Sequence, residues 1–294
     1  MKRVNAYLVI AGAYAVACVA GYLVFYGLCD AGSGAAEIIW ALLAADVVMT
    51  VIVWGFGLLF NNSSFYDPYW SLIPWLMILA VMLRFSLLGA GNIVFLGVFG
   101  IWSFRLTLNW AYTCENIKTQ DWRYVMYKEN NKPFMWHLIN FGGIHMVPTL
   151  LVFLGLVPAV IFVLANTGVS FMLLLGCAVM LLGTALEFFA DTQMHQFRKD
   201  PSNIGKVIDT GLWSVSRHPN YLGEITVWLG VFLPMLSFNA EGFYWVAGFF
   251  MMVLLFMCVS IPLAEKRQTA KRPDYADYKK RVSKLLPLPR KKAE

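Results

Sequence analysis

Long apolar runs separated by short polar breaks organise nearly the whole of this chain. Predominantly apolar stretches lie near 5–28, 37–60, 70–89, 91–112, 146–166, 168–190, 219–237 and 241–263. About 20 such residues in a helix cross the roughly 30 Å hydrocarbon core of a bilayer. The pattern predicts an all-α polytopic membrane bundle of about eight transmembrane helices, the fifth and sixth joined by a very short turn. A composition of 59% hydrophobic and 14% charged residues agrees, since no soluble globular domain of 294 residues needs it.

The cations give an independent check on that count. All of the 23 Lys and Arg residues except Arg84 and Arg105 fall before the first span, between the fourth and fifth, between the sixth and seventh, or after the eighth. The positive-inside rule then predicts a multi-pass membrane protein with both termini in the cytoplasm. This placement accounts for the net charge of +6 without nucleic acid, and the basic tail around Lys279-Lys280-Arg281 reads as a membrane-surface anchor. The first span begins with Lys2-Arg3 but lacks a small-residue cleavage site, so it is expected to be a retained helix. Cys18, Cys29, Cys114, Cys177 and Cys258 are scattered, without CxxC pairs or His-spaced ligands, so neither a metal site nor redox chemistry is expected. No repeat or linker divides the chain. N-terminal helices 1–62 and a catalytic region 63–294 are expected to form one integrated bundle.

Polar groups concentrate in 113–137, in 191–218 and after Glu265, so function is expected to open toward the cytoplasm. The densest cluster is Ser216-Arg217-His218-Pro219-Asn220-Tyr221-Leu222-Gly223-Glu224. Pro219 suits the first position of a helix, which puts Asn220, Glu224 and Trp228 on one face, four residues apart. A carboxylate inside an apolar helix is costly unless paired or facing a polar cavity, which makes Glu224 a candidate. At the end of the sixth span, Glu187, Asp191, His195 and Arg198 are spaced four, four and three apart and share a helical face. Together the two clusters predict a pocket between spans six and seven. Arg198, Lys199, Lys206 and Arg217 would supply positive charge, and Glu187, Asp191, Asn220 and Glu224 acceptors. That mixture suits a phosphorylated, hydroxyl-rich, amide-bearing ligand. GxGxxG after a strand and GxxxxGK[ST] are both absent, so membrane helices themselves would hold any nucleotide. A third cluster is Tyr66-Asp67-Pro68-Tyr69-Trp70, with Arg105 inside span four and Asp121-Trp122-Arg123-Tyr124 in the next loop. Arg105 needs a partner in an apolar helix, and Asp67 is expected to provide it. Asp46, mid-span, is expected to pair with a neighbouring helix. Gly176 and Gly183, one heptad apart, are read as helix-packing positions.

With these residues in view, the chain resembles the steroid 5α-reductase C-terminal superfamily, and in particular a bacterial branch. The resemblance covers roughly 63–290. It rests on Asp67-Pro68-Tyr69-Trp70, Arg105, Asp121-Trp122-Arg123-Tyr124, Glu187 with Ala190-Asp191, Gln196-Phe197, Gly211-Leu212-Trp213, Ser216 to Glu224, Glu265-Lys266-Arg267, Tyr275, Tyr278 and Pro287. It implies an α-helical enzyme, in a bacterial inner membrane, that binds NADPH from the cytoplasm and reduces a C=C conjugated to a carbonyl in a steroid or other lipid drawn from the bilayer. Asp191, Arg198, Asn220 and Glu224 match cofactor-binding positions, and Glu187 falls at a similar polar position. His195, Lys206, Arg217, His218 and Tyr221 complete the expected cofactor set. Asp67 matches, with a shorter side chain, a glutamate that contacts the substrate carbonyl.

One position departs from the family pattern. Trp102 stands where the steroid enzymes have a catalytic tyrosine, and an indole is no general acid. Either Tyr66 or Tyr69, oriented by Asp67, is the expected substitute, with Tyr112 next, or the substrate is not a 3-oxo-Δ4 steroid. The Arg-His-Pro-x-Tyr portion also resembles membrane methyltransferases of the isoprenylcysteine and phospholipid type, which use S-adenosylmethionine. Those enzymes usually carry paired glutamates near the C-terminal end, where this chain has Glu265-Lys266. A non-catalytic lipid-binding protein is the third reading, and the polar face 187–198 argues against it.

Overall fold

A computed structural model of the chain describes residues 3–290, apart from the side chains at 240 and 241. Twelve α-helices run through them: α1 (Arg3–Leu28), α2 (Ala35–Leu59), α3 (Tyr69–Arg84), α4 (Ala90–Thr113), α5 (Trp122–Glu129), α6 (Pro133–Leu138), α7 (Val147–Ala165), α8 (Phe171–Lys199), α9 (Pro219–Phe232), α10 (Val246–Leu254), α11 (Ile261–Lys271) and α12 (Tyr275–Arg281). Seven helical segments among the described residues are long and apolar enough to cross a membrane. The protein is an all-α polytopic membrane bundle.

The expected seventh crossing, over 219–237, takes a different form. α9 has only 14 residues and passes into a 3-10 turn at Leu233–Ser237, where Pro234 supplies no N–H to continue the α pattern. The fifth crossing begins earlier than its apolar run implies. Pro133 sits in the first turn of α6, and a π-helical segment at Ile139–Met146 carries the chain into α7, giving one continuous span from Pro133 to Ala165. The short fifth-to-sixth turn closes on Asn166 in the left-handed conformation (φ 46°). Its Oδ1 accepts from the Gly89 N–H and from Asn92 Nδ2 at the start of α4.

The span from Pro133 to Ala165, which ends in α7, is the most deeply buried of the seven and lies at the centre, whereas α1 is largely exposed. Exposed Leu8, Val16, Leu23, Trp40, Leu108, Phe171, Phe188 and Phe189 leave an apolar outer surface of the kind that faces lipid. α8 and α9 touch backbone to backbone. A Cβ on Gly183 would lie 2.6 Å from Gly223 O, and one on Gly176 would lie 2.7 Å from Gly230 O. Small residues permit this approach between membrane helices, and it brings the polar ends of α8 and α9 together. Gly183→Val is therefore expected to cost about 1–3 kcal/mol by overpacking and to lower the thermal midpoint in detergent. Gly12→Val, where a Cβ meets nothing within 4 Å, should leave that midpoint unchanged, and equal midpoints for the two variants would refute the contact.

Candidate functional site

The polar face of α8 meets α4. Arg105 Nη1 donates to Glu187 Oε2 at 2.5 Å, and Nη2 donates to Asp191 Oδ2. One turn along α4, Asn109 Nδ2 donates to Asp191 at 3.2 Å and Asn109 Oδ1 meets His195 Nε2 at 2.9 Å. Tyr112 packs its ring edge against His195. Arg105, Asn109 and Tyr112 thus form a complementary stripe at four- and three-residue spacing. The expected Arg105–Asp67 pair is not formed, because α8 presents two carboxylates to the guanidinium. Asp67 instead accepts from Tyr124 Oη at 2.9 Å.

α9 supplies the third wall. Glu224, buried, accepts from Trp102 Nε1 at 3.1 Å and from Trp228 Nε1 at 2.9 Å. Trp102, at the position of the missing tyrosine, is fully buried, stacks on Phe99 and serves as a hydrogen-bond donor to a carboxylate. Asn220 Nδ2 approaches Asp191 Oδ1 at 3.4 Å. Glu187 Oε1 is buried without a partner among the described residues, so this floor is rich in acceptors for one guanidinium.

Above the floor lies a cavity of about 290 Å³. Eight of the ten expected cofactor residues line it: Asp191, His195, Arg198, Lys206, Arg217, His218, Asn220 and Tyr221. Glu187 and Glu224 do not line it; their carboxylates are engaged beneath, among Arg105, Trp102 and Trp228. Arg267, Gln268, Arg272 and Trp122 join the lining. Arg267 stands 4.3 Å over the Trp122 ring, and Arg272 Nε donates to Lys206 O at 2.7 Å. None of Arg198, Lys206, Arg267 and Arg272 has an ion-pair partner among the described residues. Arg267 entered the sequence reading only as part of the family resemblance and Arg272 not at all, because the cations after Glu265 were read as a tail. The signal was that Arg267 and Gln268 directly follow Glu265-Lys266 on a helix continuous with the last span.

Arg217 plays a different part from the one expected. Its side chain is buried and its Nε pairs with Glu265 Oε1 at 2.8 Å, while Nη1 donates to Lys279 O and Val282 O at the end of α12. Arg217 therefore ties the Arg-His-Pro turn to the C-terminal segment, and its charge is already matched. Lys279 Nζ adds a contact at 2.8 Å to Glu265 Oε2. The His218 ring stacks on Tyr221 with centroids 5.4 Å apart and its Nε2 lies 3.4 Å from Glu265. Burial pushes the His218 imidazole below its ordinary pKa, with Glu265 opposing the shift. Ser216 Oγ donates to Leu285 O and the Leu288 N–H donates to Val215 O, so the tail is strapped along the same turn.

The three catalytic candidates divide into two places. Tyr69 Oη donates to Asp46 Oδ1 at 2.7 Å and accepts from Thr50 Oγ1 at 3.2 Å. Thr50 meets Thr149 at 2.9 Å, and Thr149 meets Tyr66 Oη at 2.7 Å. The rings of Tyr66 and Tyr69 stack 5.1 Å apart. Asp67 is engaged with Tyr124, so the carboxylate bonded to Tyr69 is Asp46 on α2. Asp46 pairs with a neighbouring helix, as its position mid-span required. An apolar groove of about 190 Å³ between α1, α2 and α3 includes Ala45, Met49 and Ile73, which neighbour Asp46, Thr50 and Tyr69 along their helices.

The family described as a protein of unknown function (DUF1295) matches residues 53–282. An uncharacterized protein of Schizosaccharomyces pombe is 25% identical over 276 residues, covering 83% of this chain and 78% of its own length. A Delta(14)-sterol reductase of Arabidopsis thaliana is 32% identical over 72 residues, which are 21% of this chain and 20% of that enzyme.

Proposed function

This chain belongs to the DUF1295 family, and from the cavity between its α4, α8, α9 and α11 helices we propose that it is a membrane reductase, related to the steroid 5α-reductases, that binds NADPH and reduces a C=C conjugated to a carbonyl in a lipid. The observation that carries the reading is the convergence of Arg198, Lys206, Arg267 and Arg272, without carboxylate partners among the described residues, on one cavity whose other wall is Asp191, His195 and Asn220. Cations of this kind bind phosphate oxygens, and Arg does so in bidentate fashion. Asp191 and Asn220 offer acceptor and donor positions for ribose hydroxyls or a carboxamide. The short similarity to a sterol reductase supports the same reaction class. A methyl donor such as S-adenosylmethionine is itself cationic at sulfur and carries no phosphate, so these four cations favour the dinucleotide. Ligand clefts commonly measure about 300–1,000 Å³, and a cavity of about 290 Å³ would enclose part of the dinucleotide and leave the remainder at its mouth.

The cofactor, when bound, supplies the hydride; the protein supplies position, electrostatics and exclusion of water. Arg198, Arg267 and Arg272 neutralise phosphate charge, and the Trp122 ring offers an apolar face. Arg105 holds Asp191 toward Asn220. At the second place, Tyr69 holds a proton at Oη against Asp46, and the groove between α1, α2 and α3 admits the apolar body of the substrate from the bilayer. The cavity opens at the end of the bundle that carries the basic segments, which the positive-inside rule places in the cytoplasm.

Arg198→Ala and Asn220→Ala are each expected to weaken NADPH binding by about 1.5–3 kcal/mol, the range for a lost hydrogen bond to a charged group. A thermal-shift titration of the purified protein reads this without turnover. Equal stabilisation of wild type and both variants would remove the cavity as the cofactor site. In sealed vesicles, NADPH added from outside should be consumed only when the membrane is inverted; consumption in right-side-out vesicles alone would reverse the orientation.

A further inference from the structure

A second cavity, of about 430 Å³, lies at the same end of the bundle and belongs to neither the cofactor cavity nor the tyrosine network. It is bounded by the end of α2, the loop before α5, and α6 with its π-helical continuation. π-helical segments inside helices are frequent at functional sites, and Asn61 holds the left-handed conformation (φ 51°) that non-glycine residues seldom adopt. Besides Asn62 and Ser63, whose side chains are hydrogen-bonded within the fold, the polar lining is Asn61, Gln120, Lys128, Asn131, His137 and Asn140. Lys128 is the only Lys or Arg among the described residues in it, and its Nζ is held by Asn61 Oδ1 at 2.5 Å. No carboxylate among the described residues lines the cavity. Gln120 and His137 make no side-chain hydrogen bond among the described residues, and the Asn131 amide uses only its N–H, toward Tyr127 O. Trp136, buried, adds an aromatic wall.

The rim is apolar and exposed. Leu58 and Leu59 end α2 beside the cavity, and Phe134 and Leu138 flank Trp136 and His137 on α6, all with their side chains outward. Such a rim, at the ends of two membrane-spanning segments, lies at the depth where headgroups meet acyl chains.

We infer that this cavity is a binding site for the headgroup of an anionic phospholipid with a polyol head, of the phosphatidylglycerol type. Lys128 takes the phosphate, the uncommitted amides exchange hydrogen bonds with the glycerol hydroxyls, and the acyl chains lie along Leu58, Leu59 and Leu138. A single cation among several amides matches one phosphate and several hydroxyls. A nucleotide is poorly matched, since it calls for the multiple cations found in the first cavity. The lipid source is favoured over a free phosphate by the apolar rim, which would offer nothing to a water-soluble anion.

The test uses the full-length protein in phosphatidylcholine nanodiscs or a mild detergent, titrated with phosphatidylglycerol while the thermal midpoint and the retained lipid in native mass spectra are read. Phosphatidylglycerol is expected to raise the midpoint and remain bound, and phosphatidylcholine to do neither. Lys128→Ala should weaken the apparent affinity about tenfold, the factor that corresponds to about 1.4 kcal/mol. Gln120→Ala, which removes no side-chain hydrogen bond among the described residues, should weaken it as well, and an unchanged thermal midpoint without lipid shows that the loss is not one of folding. Lys132→Ala, a cation nearby that does not line the cavity, should bind as wild type does. Equal response to the two lipids, an equal response to glycerol 3-phosphate in free solution, or unaltered affinity in Lys128→Ala and Gln120→Ala overturns the assignment. NADPH binding at the first cavity should be unchanged in all three variants, so this outcome is separable from the reductase reading.

Discussion

Tyr69→Phe is expected to lower turnover of an enone lipid by about 10²–10⁴-fold, the usual contribution of a general acid, while NADPH affinity stays within about twofold of wild type. The expectation rests on the proposed reaction and on one piece of geometry. Tyr69 Oη is bonded to the Asp46 carboxylate at 2.7 Å and accepts from Thr50, and all three residues are buried. A phenol so held is oriented before substrate arrives, and orientation is a large part of catalysis. Tyr66 differs in bonding only to Thr149, a neutral hydroxyl. Tyr66→Phe should therefore lose less than Tyr69→Phe, and Asp46→Asn should fall on the Tyr69 side of that divide because it removes the group that sets the Tyr69 proton. Asp67→Asn is the discriminating control. The Asp67 carboxylate is hydrogen-bonded by Tyr124 and by neither candidate tyrosine, so the structure expects its loss to alter loop packing more than the chemical step. Full activity in Tyr69→Phe with a large loss in Asp67→Asn would move the proton donor to the Asp67–Tyr124 pair.

That reassignment marks where the sequence stopped being informative. Apolar run lengths predicted the membrane bundle because crossing a bilayer is a local requirement on about 20 consecutive residues. Period-3.6 spacing likewise predicted the shared face of Glu187, Asp191, His195 and Arg198, since it depends only on helix geometry. What touches that face is a matter of which helices adjoin, and spacing along one helix carries no such information. Arg105 was therefore assigned to Asp67, close in the chain, when its partners lie 82 and 86 residues away on α8. Asn109 was missed although it follows Arg105 by one turn, because an amide in a membrane helix costs less than a charge and drew less notice. The same limit hid the role of Arg217. Its carbonyl partners on α12 exist only once the tail folds back, and a cation in a polar motif reads as a ligand group until those carbonyls are located. Where Pro234 shortens the seventh crossing, the local signal was present in the sequence and pointed the right way, but hydropathy averaged over the run obscured it.

Removing Arg105 is expected to have the largest structural effect. Among the described residues its guanidinium is the one cation paired with Glu187 and Asp191, and the side chains of Arg105 and Glu187 are only 12% and 3% exposed. Breaking a buried ion pair from one side leaves uncompensated charge and commonly costs about 3–5 kcal/mol. Arg105→Met should accordingly lower the thermal midpoint sharply and expose the α4–α8 contact to protease. Its effect on cofactor affinity follows from the same loss, because Arg105 and Asn109 hold Asp191 where Asn220 meets it. The argument turns on charge and makes a stronger demand than simple destabilisation. Replacing a whole buried ionic cluster by neutral groups of similar shape is often neutral or favourable, so adding Glu187→Gln and Asp191→Asn to Arg105→Met should recover most of the midpoint. Cofactor affinity should not recover with it, since residue 191 would still lack its carboxylate. A triple variant as unstable as Arg105→Met alone would mean that the arginine acts through packing of its stem, and a triple variant that regained nucleotide binding would remove Asp191 from the cofactor site.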